Sequence, residues 1–287
     1  MAGDDGMVPA VVVTGVSSGI GAAVADRLLT AGYRVFGSVR REEDALPLVR
    51  SWGHRFTPIV FDVTDELGQQ AAVAQVERML DGRGLRALVN NAGISYSGPI
   101  SHQSMEEIRQ VFEVNVFGVI AVTRAFLPLL RPAGKAGRIV NIGSVSGSIT
   151  VPFMGAYSAS KHALEALSQA FRRELTPTGI KVTTIEPGFV RSRMFEKSSP
   201  STAAERYAEF EIGPAWKLFN ASLLEQEKKA APAALVAAAV LKAIESGSPR
   251  TRHPLDPLWW VGRLLPDRTF DKLIFNALGI QRLMRPR

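Results

Sequence analysis

The stretch VVVTGVSSGIG, from Val11 to Gly21, decides the fold. A short β-branched run leads directly into Gly15, Gly19 and Gly21 and then into the apolar residues of a helix, which predicts a strand, a tight turn and a helix. Glycines at such a turn let backbone amides approach a pyrophosphate, and the helix N-terminus adds N–H donors and a favourable dipole. Their spacing, G-x-x-x-G-x-G, differs from the G-x-G-x-x-G of other dinucleotide folds, and a lone glycine loop could also be a plain turn.

The alternation of strand and helix continues along the chain. Short β-branched runs predict strands at Ala10–Thr14, Arg34–Val39, Phe56–Phe61, Ala87–Asn90, Gly137–Ile142 and Ile180–Ile185. Amphipathic stretches predict helices at Ile20–Ala31, Glu42–Ser51, Leu67–Leu80, Ser104–Leu130 and Ala156–Thr176. We therefore predict one α/β domain over residues 1–287, a doubly wound Rossmann-type parallel sheet with helices on both faces.

The last third of the chain is less regular. Residues 192–230 mix serine, proline, charges and scattered aromatics, which favours a substrate-covering insertion over a sheet element. Ala231–Glu245 predicts another helix, and residues 250–287 form an extended, amphipathic C-terminal segment with a proline break. That segment could cover a pocket, dock a second subunit or lie in a membrane interface. We favour packing over the pocket or within a dimer; peripheral membrane contact through residues 255–280 is an alternative that we do not favour.

Composition excludes several classes of site. The 287 residues are 46% hydrophobic and 21% charged, which is typical of a globular domain. Cysteine is absent, which excludes disulfides, thiolate metal sites and a cysteine nucleophile, and the four histidines have no paired ligand spacing, so we predict no metal site. Two aspartates near the N-terminus argue against a signal peptide, and we predict a cytoplasmic protein. The net charge of +7 leaves an anionic ligand, nucleic acid or a membrane surface open as partners.

The second informative stretch is YSASK, from Tyr157 to Lys161, thirteen residues after Ser144. In a helix, residues i and i+4 lie on one face, so the phenol and the ammonium project side by side. Such a pair could be catalytic or an ordinary surface pair.

Six motifs together resemble the short-chain dehydrogenase/reductase family. They are TGVSSGIG (Thr14–Gly21), NNAG (Asn90–Gly93), Asn115 in VNVFG, Ser144, YSASK and PGFV (Pro187–Val190), in the family's order and over about residues 8–195. The segments PRTRHPLDPLWW and LLPDRTFDKLI are similar to its steroid and retinol dehydrogenase branch. The resemblance implies an oxidoreductase that interconverts an alcohol and a carbonyl, and subunits paired through the Tyr157 helix and the long helix before it as a homodimer or homotetramer.

The resemblance also implies roles for four residues. Hydride transfer between alcohol and carbonyl needs a proton acceptor or donor at the oxygen, and Tyr157 is the candidate. Lys161 would lower the pKa of the phenol by a few units and hold the nicotinamide ribose. Ser144 would hydrogen-bond the substrate oxygen, and Asn115 would hold a water beside the lysine.

Two arginines at the end of the second predicted strand bear on the cofactor. An acidic residue there accepts hydrogen bonds from the ribose hydroxyls of NAD, whereas a 2′-phosphate requires arginine. Arg40 and Arg41 therefore favour NADP(H) over NAD(H), with Arg40 as the leading contact and Ser17 as a helper. The residues expected to contact the cofactor are Gly15, Ser17, Ser18, Gly19, Ile20, Gly21, Arg40, Arg41, Asp62, Val63, Asn91, Ala92, Gly93, Tyr157, Lys161, Pro187, Gly188, Val190 and Ser192.

A set of aromatic and aliphatic residues is expected to contact the substrate, which predicts a bulky apolar carbonyl or alcohol. The set is Ser95, Tyr96, Ile149, Phe153, Met154, Phe189 and Phe195. Two other functions were weighed. A dinucleotide-binding redox sensor without turnover would not need the serine, tyrosine and lysine set, and a nucleic-acid binder is not predicted because the basic residues form no recognisable motif.

Overall fold

Seven strands form one parallel sheet in the order β3-β2-β1-β4-β5-β6-β7. The structure is a computed structural model that describes residues 8–191 and 205–284. The strands are β1 (Ala10–Val13), β2 (Arg34–Val39), β3 (Phe56–Val60), β4 (Ala87–Asn90), β5 (Arg138–Ile142), β6 (Lys181–Glu186) and β7 (Arg252–Pro254). The predicted doubly wound parallel sheet is confirmed.

Helices cover both faces of the sheet. They are α1 (Gly19–Thr30), α2 (Leu46–Trp52), α3 (Glu66–Leu80), α4 (Met105–Phe112), α5 (Gly118–Leu130), α6 (Gly155–Glu174), α7 (Gly213–Lys228), α8 (Ala233–Glu245), α9 (Leu258–Leu264) and α10 (Asp267–Ala277). A π turn, Glu113–Phe117, joins α4 to α5. The run Met105–Ala136 has the length and composition of a membrane-crossing helix, but half of its most apolar window is buried here, as in a core helix.

The six predicted strands agree with the structure to within one residue at each end. Three differences are informative. The predicted helix Glu42–Ser51 is divided into a 3₁₀ turn, Glu42–Ala45, and α2, because Pro47 fits only the first turn of a helix. The predicted helix Ser104–Leu130 contains the π turn. Strand β7 was not predicted.

The valines of β1 are buried on both faces of the sheet. Val11 and Val13 pack in the layer formed with α1 and α8, whereas Val12 packs in the opposite layer with α3 and α5. Alternate side chains of a strand point to opposite faces, so a continuous apolar run is what a central parallel strand requires.

The position of β1 creates the site. Val12 pairs with Phe36 of β2 on one side and with Leu88 of β4 on the other. The chain runs outward through β2 and β3 and then returns to β4, so the loops that follow β1 and β4 diverge. In doubly wound sheets, the crevice at this reversal of strand order binds ligands.

Strand β7 extends the sheet beside β6 and brings the C-terminal segment back to this crevice. Its register aligns His253 with Ile185 and Pro254 with Glu186. The strand has only three residues, Arg-His-Pro, without apolar alternation, and this is why the sequence pattern did not reveal it.

A buried polar network joins the central strands to the helices. Asn141 Oδ1 accepts a hydrogen bond from Asn90 Nδ2 at 2.8 Å, and Asn141 Nδ2 donates to Ser168 Oγ at 2.8 Å. Asn90 Nδ2 also donates to Thr123 Oγ1 at 3.0 Å. The network therefore fixes β4 and β5 against α5 and α6.

Replacing Asn141 tests the weight of this network. We expect Asn141→Ala to lower the free energy of unfolding by about 2–3 kcal/mol, because one buried N–H of Asn90 loses its acceptor and Ser168 Oγ loses its donor, although each keeps its second hydrogen bond. Chemical denaturation measures the change, with exposed Gln70→Ala on α3 as the control. Equal stability of the two variants would contradict this account.

Candidate active site

The turn after β1 requires glycine at three positions. Gly15 and Gly19 have φ angles of +71° and +59°, in the left-handed region that side chains disfavour. A Cβ atom at Gly21 would lie 2.1 Å from the carbonyl oxygen of Gly15, so no side chain fits there. The Gly15 N–H donates to the Ser38 hydroxyl at 2.9 Å, which fastens the turn to β2. The result is a bare backbone surface at the N-terminus of α1.

Thr14 and Asn91 hold the glycine turn against the loop after β4. The Thr14 hydroxyl oxygen accepts hydrogen bonds from the N–H groups of Asn91 and Ala92, at 2.9 and 3.0 Å. The Asn91 side-chain amide donates to the carbonyl oxygens of Thr14 and Gly15, at 2.8 and 3.0 Å. Asn91 thus positions the turn as well as lining the cavity beside it.

A cavity of about 520 Å³ opens at this end of the sheet. Most residues predicted to contact the cofactor line it: Gly15, Ser17, Ser18, Gly19, Ile20, Gly21, Arg40, Asp62, Val63, Asn91, Ala92, Gly93, Tyr157, Lys161, Pro187, Gly188 and Val190. Ser192 lies outside the described residues. The motifs that are separated in sequence therefore meet at one cavity.

The two arginines after β2 have different surroundings. Arg40 lines the cavity with Ser38. The Arg41 guanidinium instead contacts Asp44 at 3.3 Å and Glu43 at 3.5 Å, and its side chain is 68% exposed. The expectation that Arg41 also contacts the cofactor is therefore not supported by its position.

Asp62 lies at the wall of the cavity, after β3. Its Oδ1 atom accepts hydrogen bonds from the backbone N–H and the hydroxyl of Thr64, at 2.9 and 2.7 Å. The carboxylate thus has a local structural role and also borders the cavity.

Ser144, Tyr157 and Lys161 converge at the centre of the cavity. Ser144 follows β5, and α6 begins at Gly155, so Tyr157 and Lys161 lie one turn apart on its buried face. Their side chains are 7% and 4% exposed, which excludes an ordinary surface pair. Lys161 Nζ donates to the carbonyl oxygen of Ile142 at 2.9 Å and lies 5.8 Å from the centre of the Tyr157 ring. Ser144 hydrogen-bonds the Tyr157 hydroxyl.

Burial dominates the electrostatics of this trio. Burial raises the pKa of the Tyr157 phenol, and the hydrogen bond with Ser144 lowers it only in part. Burial also lowers the pKa of Lys161 to about 8, and the neighbouring Glu165 opposes that shift. Removal from water thus outweighs the other influences on the phenol, and the predicted lowering of its pKa by Lys161 stays a prediction.

Asn115 lies in the π turn between α4 and α5, beneath the cavity. Its Oδ1 accepts from the Ile94 N–H at 2.9 Å, while Nδ2 donates to the Ile94 carbonyl at 2.8 Å and to Ser160 Oγ at 3.0 Å. Ser160 Oγ in turn donates to the carbonyl oxygen of Tyr157 at 2.7 Å. The side-chain amide is thus engaged with protein groups and positions α6, and the water that Asn115 is expected to hold stays a prediction. A π turn is often found at functional sites.

The predicted substrate residues divide into two groups. Ile149, Met154 and Phe189 line the cavity. Ser95, Tyr96 and Phe153 are described by the structure but do not line the cavity. The Tyr96 hydroxyl donates to Gln110, and Phe153 packs on Trp216 and Phe219. Phe195 lies outside the described residues.

The sequence analysis missed the helices that cover the cavity, which we call the cover helices: α7, α9 and α10. They contribute Phe219, Leu223, Gln226, Leu258, Val261, Phe270, Leu273, Ile274, Ala277 and Leu278. The signal was present in α10, where Phe270, Leu273, Ile274 and Ala277 have the i, i+3, i+4, i+7 spacing of one helix face. The favoured position for the C-terminal segment, over the pocket, agrees with the structure.

Comparison with known proteins identifies the family. A family model described as short chain dehydrogenase matches residues 9–203. The chain belongs to the short-chain dehydrogenase family.

Three known proteins are similar to this short-chain dehydrogenase over most of its length. It is 37% identical to the NADPH-dependent 3-dehydrocapnine reductase of Ornithobacterium rhinotracheale, over 93% of this chain and 96% of that protein. It is 36% identical to 17-beta-hydroxysteroid dehydrogenase type 6 of Bos taurus, over 85% of this chain and 79% of that protein. The crystal structure of a short-chain dehydrogenase from Streptomyces avermitilis superposes with a TM-score of 0.76 at 32% identity, covering 98% of this chain and 99% of that one.

These relatives confirm the predicted family and its resemblance to the steroid and retinol dehydrogenase branch. They also confirm the predicted reaction class, because short-chain dehydrogenases are oxidoreductases.

A side chain added to the glycine turn tests whether its bare backbone holds the dinucleotide of this short-chain dehydrogenase. We expect Gly21→Ala to weaken dinucleotide binding at least about tenfold, because the added methyl group collides with the Gly15 carbonyl and displaces the turn. Cofactor fluorescence measures the affinity. Gly247→Ala is the matched control, because a Cβ atom there meets no other atom within 4 Å. Unchanged affinity in Gly21→Ala would mean that the turn does not hold the dinucleotide.

Proposed function

We propose that the protein is an NADP(H)-dependent oxidoreductase that interconverts a secondary alcohol and a ketone, or an aldehyde, on a bulky apolar substrate. The observation that carries this proposal is the meeting of Ser144, Tyr157 and Lys161 in one buried cavity, between the glycine turn and an apolar cover.

The residues around the glycine turn fit a dinucleotide. The turn offers backbone N–H groups to a pyrophosphate, and the absence of space for a Cβ atom at Gly21 is what such close approach requires. Arg40 offers a guanidinium for a 2′-phosphate. Lys161 is the candidate for the nicotinamide ribose, and Val190 offers its backbone to the carboxamide. NADPH, when bound, supplies the hydride to the carbonyl carbon.

Tyr157 is the proposed proton donor in the direction of reduction. Because burial raises its pKa, the phenol keeps its proton at neutral pH, and this is the form that protonates a carbonyl oxygen. Ser144 donates a hydrogen bond to the same oxygen as negative charge develops on it. Lys161, which is protonated below a pKa of about 8, stabilises the phenolate that remains. In the reverse direction the phenolate accepts the alcohol proton.

The preference for NADP(H) rests on Arg40. It borders the cavity at the end of β2, where an acidic residue would favour NAD. The relative from Ornithobacterium rhinotracheale is named as NADPH-dependent, which supports the same choice.

The apolar character of the substrate is inferred from the cover helices. Phe219, Val261, Phe270 and Ile274 line the cavity together with Met154, and the residues of the cover helices that line it are almost entirely aliphatic and aromatic. Burial of apolar surface against such a wall stabilises a bound ligand by about 25 cal/mol per Å². A bulky apolar ketone or alcohol fits this wall better than a small polar one.

Assembly and location extend the proposal. We infer a homodimer or homotetramer paired through α4, α5 and α6, and the 54% exposure of Phe117 on this surface supports pairing there. A cytoplasmic location also stays a prediction.

Replacing the proton donor tests the mechanism. We expect the wild-type protein to oxidise NADPH in the presence of apolar ketones, followed by absorbance of the reduced cofactor. Tyr157→Phe should lower turnover by about 10²–10⁴-fold, because it removes the acid, and leave NADPH binding nearly unchanged.

Tyr207→Phe is the control for this substitution, since Tyr207 is buried but its hydroxyl has no hydrogen-bond partner among the described residues. Full turnover in Tyr157→Phe would overturn the mechanism. Tight NADPH binding by the wild type without turnover across the ketones would instead favour the redox sensor.

The matched arginines test cofactor choice. We expect Arg40→Ala to lose about tenfold to hundredfold in NADPH affinity with little change for NADH, because a charged hydrogen bond contributes about 1.5–3 kcal/mol. Arg41→Ala should bind both cofactors as the wild type does, because its guanidinium is paired with Asp44. Equal losses for NADPH and NADH in Arg40→Ala would contradict a contact with the 2′-phosphate.

A further inference from the structure

Two buried glutamates lie behind Lys161, and the mechanism above does not use them. Glu165 is one turn further along α6, on the same face as Lys161, and is 4% exposed. Glu186 ends β6 and is fully buried. Buried carboxyl groups are costly unless they are paired or protonated, so this pair needs a physical explanation.

Glu165 has charged groups on three sides. Arg252 of β7 places Nη2 3.0 Å from Glu165 Oε2. Glu186 and Lys161 also interact electrostatically with it. Burial first, and then the neighbouring Glu186, raise the pKa of Glu165 to about 7.

Glu186 is held from the C-terminal segment. Trp259 of α9 donates from Nε1 to Glu186 Oε1 at 2.9 Å. Burial raises the pKa of Glu186, while Trp259, Arg252 and Arg263 oppose the shift. Trp259 and the arginines thus stabilise one negative charge on the pair, while burial opposes a second one.

Glu165 and Lys161 meet at the same piece of backbone. Lys161 Nζ donates to the carbonyl oxygen of Ile142, and a Cβ atom at Gly143 would lie 3.0 Å from Glu165 Oε1. Ile142 and Gly143 lead directly to Ser144. The carboxyl group is therefore next to the reacting trio, although Glu165 itself does not line the first cavity.

A second cavity connects Glu165 to solvent. It has about 280 Å³ and is lined by Glu165, Ser168, Gln169, Arg172, Val182, Thr184, Thr251, Arg252 and Arg263. Such a space has room for several waters, at about 30 Å³ each, and its wall is polar. Thr184 is buried there, and its hydroxyl has no hydrogen-bond partner among the described residues, so a water is the natural partner.

We propose that Glu165 and Glu186 share one proton and resupply Lys161 with it during carbonyl reduction, while water in the second cavity returns the proton from solvent. The inference rests on the proposed function. When Tyr157 protonates the carbonyl oxygen, its O–H bond breaks, and the phenolate takes a proton that Lys161 Nζ gives up through a bridging water, because the two side chains are too far apart for direct transfer. The neutral amine takes the proton of Glu165 through a water. The carboxylate pair then takes one proton from solvent, so each turnover consumes one solvent proton and one hydride from NADPH.

This role matters because the cover helices and the proposed substrate close the first cavity. A supply from between α6 and β6, through the second cavity, works while the cover helices close the first cavity. Glu165 and Glu186 contact neither the substrate nor the reacting atoms. They are therefore positioning residues, which hold the proton that Lys161 takes up.

Kinetics of Glu165→Gln test the resupply. We expect kcat to fall about tenfold, less than for loss of the direct donor, with the KM for ketone unchanged. The solvent deuterium isotope effect should rise, and small weak acids such as imidazolium should restore part of kcat. The wild-type kcat should decline as pH rises through about 7, since the pair holds its proton below that pKa and loses it above, and the variant should lack this decline.

Two controls separate this role from a structural one. Glu174→Gln, exposed on the same helix, should behave as wild type. Trp259→Phe removes the donor to Glu186 and loosens α9, so it should raise KM without rescue by weak acids. A wild-type kcat in Glu165→Gln would overturn the resupply. So would a lowered kcat that weak acids do not restore and that shows no increase in the solvent deuterium isotope effect.

Infrared difference spectra test the shared proton without turnover. Near neutral pH the wild type should show one protonated carboxyl band that shifts in frequency in both Glu165→Gln and Glu186→Gln, because each substitution replaces one of the two carboxyl groups that share the proton. No such band in the wild type would refute the proposal. If the wild type oxidises NADPH, Tyr157→Phe does not, and Glu165→Gln matches the wild type, then the resupply fails while the proposed function stands.

Discussion

The site depends on one contact, in which hydrogen bonds join the turn after β1 to the loop after β4. Thr14 and Asn91 exchange four hydrogen bonds with backbone groups of these two segments. The contact lies where strand order reverses, at the mouth of the crevice. It leaves so little room that Gly21 cannot carry a side chain, and the backbone surface for a dinucleotide is a consequence of that crowding.

Burial of ionisable groups is the second organising feature. Tyr157, Lys161 and Glu165 lie along one face of α6, and all three are removed from water. Removal from water raises the pKa of the phenol and of the carboxyl group and lowers that of the amine. Lys161 and Glu165 are thereby brought toward the range in which protons exchange near neutral pH, whereas the Tyr157 phenol keeps its proton there.

The C-terminal segment joins these two features to substrate selection. Strand β7 pairs with β6 and directs the chain to α9 and α10, which form much of the apolar wall. The Trp259 indole N–H donates to Glu186, and its ring lies near Arg252 and Arg263, so the segment that borders the cavity is also fixed to the acid pair between α6 and β6. The apolar cover and the acid pair are therefore connected through one short stretch of chain.

The sequence by itself determined the six longer strands, the glycine turn and the Tyr157–Lys161 pair, because each depends on local periodicity or on residues within one turn of helix. The sequence also named Arg40 as the leading arginine, but tertiary structure alone decided that Arg41 pairs with Asp44 instead of bordering the cavity. Tertiary structure also decided the three-residue strand β7, the π turn at Asn115 and the meeting of Glu165 with Glu186 and Trp259. These features arise from contacts between distant segments, and local pattern carries no record of such contacts.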